Sequence, residues 1–573
     1  MTVSTDRGLL GSSAVMAAGT VVSRITGFAK ASVIAATIGL ASVTADTFNV
    51  PNVIPTTLYI LVGGGVLNSV LVPVLVRSIK EDADGGEAYS QRLFSVVVVV
   101  LGAATVVAVL AAPLIVATFV NSKYRSPELE PFFDNMVLFA RFCLPQIFFY
   151  GLYVLVGQML NARGRFGPMM WAPILNNVVV ISVFASYLLV VGQKTPEPFT
   201  DGEILFLGLG STCGVAVQAL ALVPVLRRAG FHIRLRTDWR RAGLGHAARL
   251  GLWTIAFVLV NQVAYLFVVK AATGGSAQAV VGSGTSGAGF SVYANAMLIT
   301  MVPHSVITVS LATALLPRLS SHAADGDLTL VRDRLVSGIR ICLAVIIPVA
   351  ALLAALSVPL VALLFDHGAA TGETGVLAVT LVALLPGLVA FTVHYLVLRG
   401  FYALQDTRTP FFVQLSVAGT MVISALLIAA FAPSRATVLL ASGYSVAYIL
   451  GAAVSIGSLG RRLAGLRRWP LVLHIIRLAI PAGLAALLAY GLAALLDDLL
   501  AGLPAWLGNL LAVAAGGTVG LTAFVTFAYL VRISEVREAV ALVRRRLGRT
   551  PPSMDVRDSG VGDTEPRPRA GEP

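Results

Sequence analysis

The chain has 573 residues, 57% of them hydrophobic and only 12% charged, with a mean hydropathy of +0.86, which excludes a water-soluble globular protein of any class. Its formal net charge of +13 falls mostly in short connections between apolar stretches, where it meets anionic lipid headgroups. No folded soluble domain remains to present a basic face, so nucleic acid is excluded as a partner.

Apolar stretches recur from Leu9 to Leu530, each long enough to cross a hydrocarbon core about 30 Å thick. A barrel would show segments of about ten residues with alternating polarity, and none occur. The breaks predict an all-α polytopic membrane protein with fourteen spans near 9–39, 46–76, 93–120, 134–160, 168–191, 203–226, 250–272, 287–317, 335–364, 375–404, 410–431, 436–458, 471–496 and 503–531. The first stretch carries Arg24 and no cleavage site behind a short apolar core, so it reads as span 1 rather than a signal peptide.

Taken alternately, the connections on one side hold Arg77, Lys80, Arg92, Arg163, Arg165, the arginines from Arg227 to Arg249, Arg318, Arg399, Arg408, Arg461 and Arg462. The opposite connections hold only Lys123, Arg125, Lys194 and Arg435. The positive-inside rule then places both termini in the cytoplasm. The Arg227 to Arg249 loop, with Trp239, suits a short interfacial helix.

The chain also repeats. Leu67-Asn-Ser69-Val-Leu71-Val-Pro73-Val-Leu75 in span 2 matches Leu311-Ala-Thr313-Ala-Leu315-Leu-Pro317-Arg-Leu319 in span 8, and Pro145 and Pro168 pair with Pro386 and Pro410 at nearly the same offset. Six spans separate the copies, so both have one orientation, as in transporters built from parallel repeats. The predicted organisation is an N-terminal six-helix lobe (1–228), a C-terminal six-helix lobe (229–460), helices 13 and 14 with an amphipathic tail (461–547), and a disordered cytoplasmic tail (548–573). Halves that rock about a central cavity suit alternating access.

Enzyme signatures are missing. Gly192-Gln-Lys194-Thr195 lacks the upstream glycine of a nucleotide loop. Gly282 to Gly287 reads as a flexible outer turn. Cys143, Cys213 and Cys342 fall inside spans as packing residues. The histidines show no metal spacing, although His304, beside Pro303, is a candidate for the cavity.

Arg24 is the most informative residue. It lies about 22 Å into span 1 from the cytoplasmic end at 1.5 Å per residue. Left unpaired in lipid it would cost at least about 3 kcal/mol, so it needs a wet cavity or an anionic partner. Two readings stand: an ion pair with Asp46, or substrate binding by Arg24 with Asp46 tuning it. Carboxylates are scarce in the spans, and a mainly cationic interior favours an anionic substrate.

At these residues the sequence resembles the MurJ/MviN family of lipid II flippases, within the multidrug/oligosaccharidyl-lipid/polysaccharide exporter superfamily. The matching strings are Ser23-Arg24-Ile-Thr-Gly27-Phe28-Ala29-Lys30, Ala45-Asp46-Thr-Phe48, Pro51-Asn52, Arg141 before Pro145, Ala172-Pro173-Ile-Leu175-Asn176, and Gly400-Phe-Tyr402-Ala-Leu-Gln-Asp406-Thr-Arg408-Thr-Pro410. Fourteen spans is that family's number. The resemblance implies a flippase for lipid II, the polyprenyl-pyrophosphate-linked peptidoglycan precursor. A flippase for another polyprenyl-linked oligosaccharide and a cation-coupled drug exporter are the alternatives. It also implies a cationic cavity lined by spans 1, 2, 7 and 8, and a tail groove made by spans 13 and 14.

The candidate substrate-binding residues are Arg24, Lys30, Asp46, Asn49, Asn52, Asn295 and His304. The candidate structural or gating residues are Gly63, Gly64, Gly65, Pro73, Pro317, Arg141, Asp406 and Arg408. The triple glycine stands where many members have charges, and Tyr293-Ala-Asn295 where an acid and a following arginine are usual, so the cavity is less charged than the family pattern. No catalytic residue, metal or cofactor is expected. The membrane potential is the expected energy source, with a sodium or proton gradient as the alternative. Cell-wall synthesis proteins are candidate partners.

Overall fold

The computed structural model describes residues 3–61, 86–194, 197–231, 234, 236, 252–283, 289–463, 465–466 and 468–547. These residues are helical almost throughout and contain no strand. Thirteen stretches among them are long and apolar enough to cross a membrane.

In chain order, α1 (Val3–Ile38) is span 1 and α2 (Val43–Tyr59) opens span 2. The rest of span 2, with Gly63, Gly64, Gly65 and Pro73, lies outside the described residues, as do most of the Arg227 to Arg249 loop and the 548–573 tail. Span 3 is α3 (Glu87–Leu110) with α4 (Ala112–Phe119), and span 4 is α5 (Glu130–Cys143) with α6 (Gln146–Ala162). Next come α7 (Gly167–Val190), then α8 (Asp201–Leu220) with α9 (Leu222–Arg228). Span 7 is α10 (Leu252–Gln278); span 8 is α11 (Phe290–Pro303), a wide π turn at His304–Thr308, and α12 (Val309–Ala324). Span 9 is α13 (Leu328–Ala355) with α14 (Ser357–Phe365), followed by α15 (Thr374–Ala403), α16 (Arg408–Phe431) and α17 (Ala436–Gly460). The chain ends in α18 (Arg468–Leu499), α19 (Ala505–Leu530) and α20 (Ser534–Leu547).

Helix neighbours recur from one six-span set to the next. In the first, α1 packs on α7, α7 on α8, α8 on α5 and α6, and α2 on α5. In the second, α10 packs on α16, α16 on α17, α17 on α15, and α11 and α12 on α15. Spans 13 and 14 pair with each other and lean on α13.

Lipid is as apolar as leucine, so these helices associate by close packing of small residues rather than by escape from water. Gly387 of α15 lies so near α17 that a Cβ there would stand 2.6 Å from the Tyr444 ring. Large apolar side chains such as Leu110, Leu189, Phe431 and Leu487 point outward to lipid.

The two repeat prolines act differently. At Pro145 the span breaks into α5 and α6. At Pro386 the helix continues, and the Ser445 hydroxyl bridges its ladder, accepting from Gly387 N–H (2.9 Å) and donating to the Ala383 carbonyl (2.6 Å). A serine bridge of this kind satisfies the polar groups that a distorted membrane helix frees.

Candidate functional site

Two adjoining cavities lie on the seam between the six-span sets. One, of about 360 Å³, is lined by Lys30, Ala31 and Ile34 of α1, Asn49, Asn52 and Thr56 of α2, Tyr150 of α6, and Phe290, Ala294 and Asn295 of α11. The other, of about 290 Å³, is lined by Thr20, Ser23 and Arg24 of α1, Tyr153, Met169, Met170, Pro173 and Asn177. Gly27 and Leu298 line both. The structure thus gathers Lys30, Asn49, Asn52 and Asn295 in one space and sets Arg24 in the next.

Local hydrogen bonds fix these side chains. Asn49 donates to Ser291 Oγ (3.0 Å), and Asn52 accepts from Gln146 Nε2 (3.2 Å), which also donates to Thr212. Asn295 donates to the Ser291 carbonyl one turn earlier (2.9 Å), and Asn177 to Ser23 O and Thr26 Oγ1. No ion pair to Arg24 or Lys30 occurs among the described residues, and neither cavity has a carboxylate in its lining. A span-1 cation left open in this way meets a mobile anion or water.

Asp46 stands apart from that space. It is fully buried and accepts four hydrogen bonds, from the backbone N–H of Phe290 (3.0 Å) and Ser291 (2.8 Å) and from the hydroxyls of Ser276 (2.8 Å) and Ser291 (2.7 Å). The anion therefore sits on the N-terminus of α11, where unpaired amides and the helix dipole stabilise it. Of the two readings open for Arg24, the ion pair with Asp46 is not formed: donors at a helix end, not a guanidinium, meet the carboxylate.

His304 also departs from expectation. The wide turn that follows Pro303 shifts the helical register, and the imidazole packs against α15, with Phe391 at 4.4 Å and Tyr395 at 4.9 Å between centroids and Thr392 Oγ1 at 3.4 Å. It is buried inside the second set and lines neither cavity.

The remaining candidates lie elsewhere. Pro317 is inside α12, and Arg141 is exposed on the last turn of α5. At the arginine-rich end, Asp406 accepts from the N–H of Arg408 and Thr409 (both 3.0 Å), opening α16, and pairs with Arg462 at 2.9 Å. Burial opposes its charge, but hydrogen bonds from Thr409 and Arg408 and the Arg462 guanidinium hold its carboxyl below the ordinary carboxylate range. Arg408 stacks over Trp253 and Phe412.

Span 7 lines neither cavity among the described residues; it contributes Ser276 to Asp46 and a Gln262 bond to the Thr57 carbonyl (2.9 Å). An apolar groove of about 450 Å³ runs along α13, α15, α17 and α18 through Ile347, Val389, Val393, Ile449, Ile456, Leu471 and Ile475. Span 14 has no residue in it, so the groove lies between spans 9, 10, 12 and 13 rather than between spans 13 and 14. Tyr150, Ser291 and Gln146 were not singled out from sequence, since nothing about one tyrosine, serine or glutamine in an apolar span marks its direction.

The family model described as lipid II flippase MurJ matches residues 34–505. The chain belongs to that family. It is similar to the "Probable lipid II flippase MurJ" of Rhizobium meliloti (strain 1021), 29% identical over 480 residues, covering 82% of this chain and 84% of the relative. The "Lipid II flippase MurJ" of Burkholderia cenocepacia is 26% identical over 399 residues, 68% and 72% of the two chains. Among solved structures, lipid II flippase MurJ in an inward closed conformation superposes with a TM-score of 0.68 at 18% identity, covering 90% of this chain and 99% of that one. An inward-facing multidrug resistance MATE family transporter of the MOP superfamily gives 0.61 at 17% identity, covering 77% and 94%. The fold is thus that of the solved MurJ, which the MATE transporter shares, and the chain is a multi-pass membrane protein.

Proposed function

We propose that this member of the MurJ family is a lipid II flippase that works by alternating access. In this reading its arginine-rich end and both termini face the cytoplasm of a bacterium, and its two six-span lobes rock about the seam. The observation that carries the reading is the grouping of Lys30, Asn49, Asn52 and Asn295 in one cavity beside that of Arg24, with no carboxylate among the described residues of either lining. Two cations and three amides suit a pyrophosphate and sugar hydroxyls: the cations meet the phosphate charge, and the amides both donate to and accept from a glycan. A carrier of cationic drugs would need carboxylates in the same place.

The apolar groove along α18 would take the polyprenyl tail, while the arginine-rich connections would meet anionic headgroups. Cell-wall synthesis proteins are the proposed partners at that end. For energy, a pyrophosphate bearing about two negative charges gains roughly 2.3 kcal/mol per charge per 100 mV on leaving an inside-negative cell, so the membrane potential can drive the cycle without nucleotide or bound cofactor.

The test is depletion of the protein in its host with lipid II assayed on each leaflet. Accumulation on the inner leaflet is the expected result. A normal lipid II distribution with another polyprenyl-linked oligosaccharide trapped inside assigns that lipid as cargo instead.

A further inference from the structure

At the end of the bundle opposite the arginine-rich one, the two lobes exchange polar contacts in both directions. The first lobe gives Asp46 to the start of α11, as described above. In return, Glu373, immediately before α15, reaches the link between α1 and α2, and its Oε2 accepts from the backbone N–H of Leu40 (2.7 Å) and of Ala41 (2.9 Å). Leu40 and Ala41 are buried. Their amides fall between the last turn of α1 and the Ser42 cap of α2, so neither helix supplies them an acceptor. Gly39 makes this turn at a φ of 82°.

The backbones also meet here. A Cβ on Gly368, in the same connection as Glu373, would stand 2.3 Å from the Ala36 carbonyl oxygen, so only glycine lets the link between spans 9 and 10 close on the end of span 1. The link between spans 3 and 4 does the equivalent to the end of span 7. There Asn121 N–H donates to Thr273 Oγ1 (3.1 Å), Tyr124 shares a hydrogen bond with Ser276 (3.1 Å), and Lys123 reaches Gln278. Each lobe thus lays its second outer connection over the first span of the other.

We propose that Glu373 is a gating residue, the acceptor that holds the outer side of the carrier shut while the inner side is available. The proposal rests on the alternating-access reading but not on the identity of the cargo. When the lobes part at this end, the two amides and the carboxylate all gain water, so the contact is broken without stranding a buried polar group, and it re-forms when the lobes return. A purely structural contact would have no need to be soluble in both states.

The experiment uses Ala294→Cys as a reporter in the cavity, in full-length protein where the exposed Cys213 is replaced by Ser and the buried Cys143 and Cys342 are kept. A membrane-impermeant methanethiosulfonate is applied from outside to right-side-out vesicles and from inside to inverted ones. Glu373→Ala is expected to raise the outside labelling rate at least fivefold and lower the inside rate. Glu373→Gln, which keeps a carbonyl acceptor but not the charge, is expected to fall between the two. Rates that stay unchanged in either variant, or that rise on both sides together as in a loosened fold, overturn the proposal. If Glu373→Ala does not reach the membrane, Glu373→Gln decides alone. A wrong cargo would leave these rates untouched, so the failures of the two readings are distinguishable.

Discussion

Arg24 and Lys30 are six residues apart on α1, which at about 100° per residue leaves them roughly 120° apart around the helix, with Gly27 midway between them. That spacing is why they line neighbouring cavities and share Gly27 as the wall. With no carboxylate partner for either among the described residues, Arg24→Ala removes no ion pair seen there. The variant is expected to insert and fold like the parent while transport falls at least tenfold, read as flipping of labelled lipid II in proteoliposomes alongside the yield of monodisperse protein. Loss of the protein from the membrane would show instead that Arg24 holds the fold. Lys30→Arg is expected to keep transport within about twofold, because either cation meets a phosphate, the arginine as a fork and the lysine as a point charge. Both cations and all three asparagines were named from the sequence, the cations as charges among apolar residues and the asparagines beside the family resemblance, and the fold places all five along the two cavities. Asp46 was legible as important but not in its contacts: its partners are backbone amides of a distant helix end, which no side-chain pattern displays. Glu373 was not legible at all, since an acid in a short connection reads as solvated until the fold brings the α1 to α2 turn onto it.

Among the elements, α15 shows how a membrane helix carries a proline. Ser445→Ala would leave Gly387 N–H and the Ala383 carbonyl without the hydroxyl that joins them, in a contact too tight to admit a replacement. A loss of about 1–3 kcal/mol is expected, seen as a lower melting temperature in detergent, whereas Ser442→Ala, whose hydroxyl bonds only within its own helix, is expected to change little. Spans are the part of such a protein that sequence declares most openly, because the solvent is lipid and twenty apolar residues are its signature. What lies within a span is less open. The break at Pro145 and the unbroken helix at Pro386 arise at the same residue type, so proline alone does not tell them apart. The π turn that sends His304 into α15 has no compositional mark either.

For the whole molecule, the deciding quantity is what drives the cycle. In liposomes clamped with potassium and valinomycin, at equal pH and sodium on both sides, flipping is expected to rise with an inside-negative potential and to fall when it is reversed. Flipping that ignores the potential but follows a sodium or proton gradient would remove the electrophoretic account. The lack of a carboxylate among the described residues that line the two cavities is the reason to expect the first result, because proton coupling there needs a titratable group and a carboxylate is the usual anchor of a sodium site. Two short strings suggest the repeat; helix neighbours recur from one six-span set to the next, while the first string, Leu67 to Leu75, lies outside the described residues.

The apolar groove along α18 bears on what this machine has to measure. Ile449 and Val472 on its walls are also open to the surroundings, so a hydrocarbon chain seated there stays in contact with the bilayer along its length. On the proposed reading an amphiphile would be divided during passage: its head would cross through protein while its chain stayed against the bilayer. The seam then needs room only for the head. With the chain seated there, its length would impose no ruler on the carrier, and isoprenoid anchors of different lengths would be expected to suit one and the same pair of cavities.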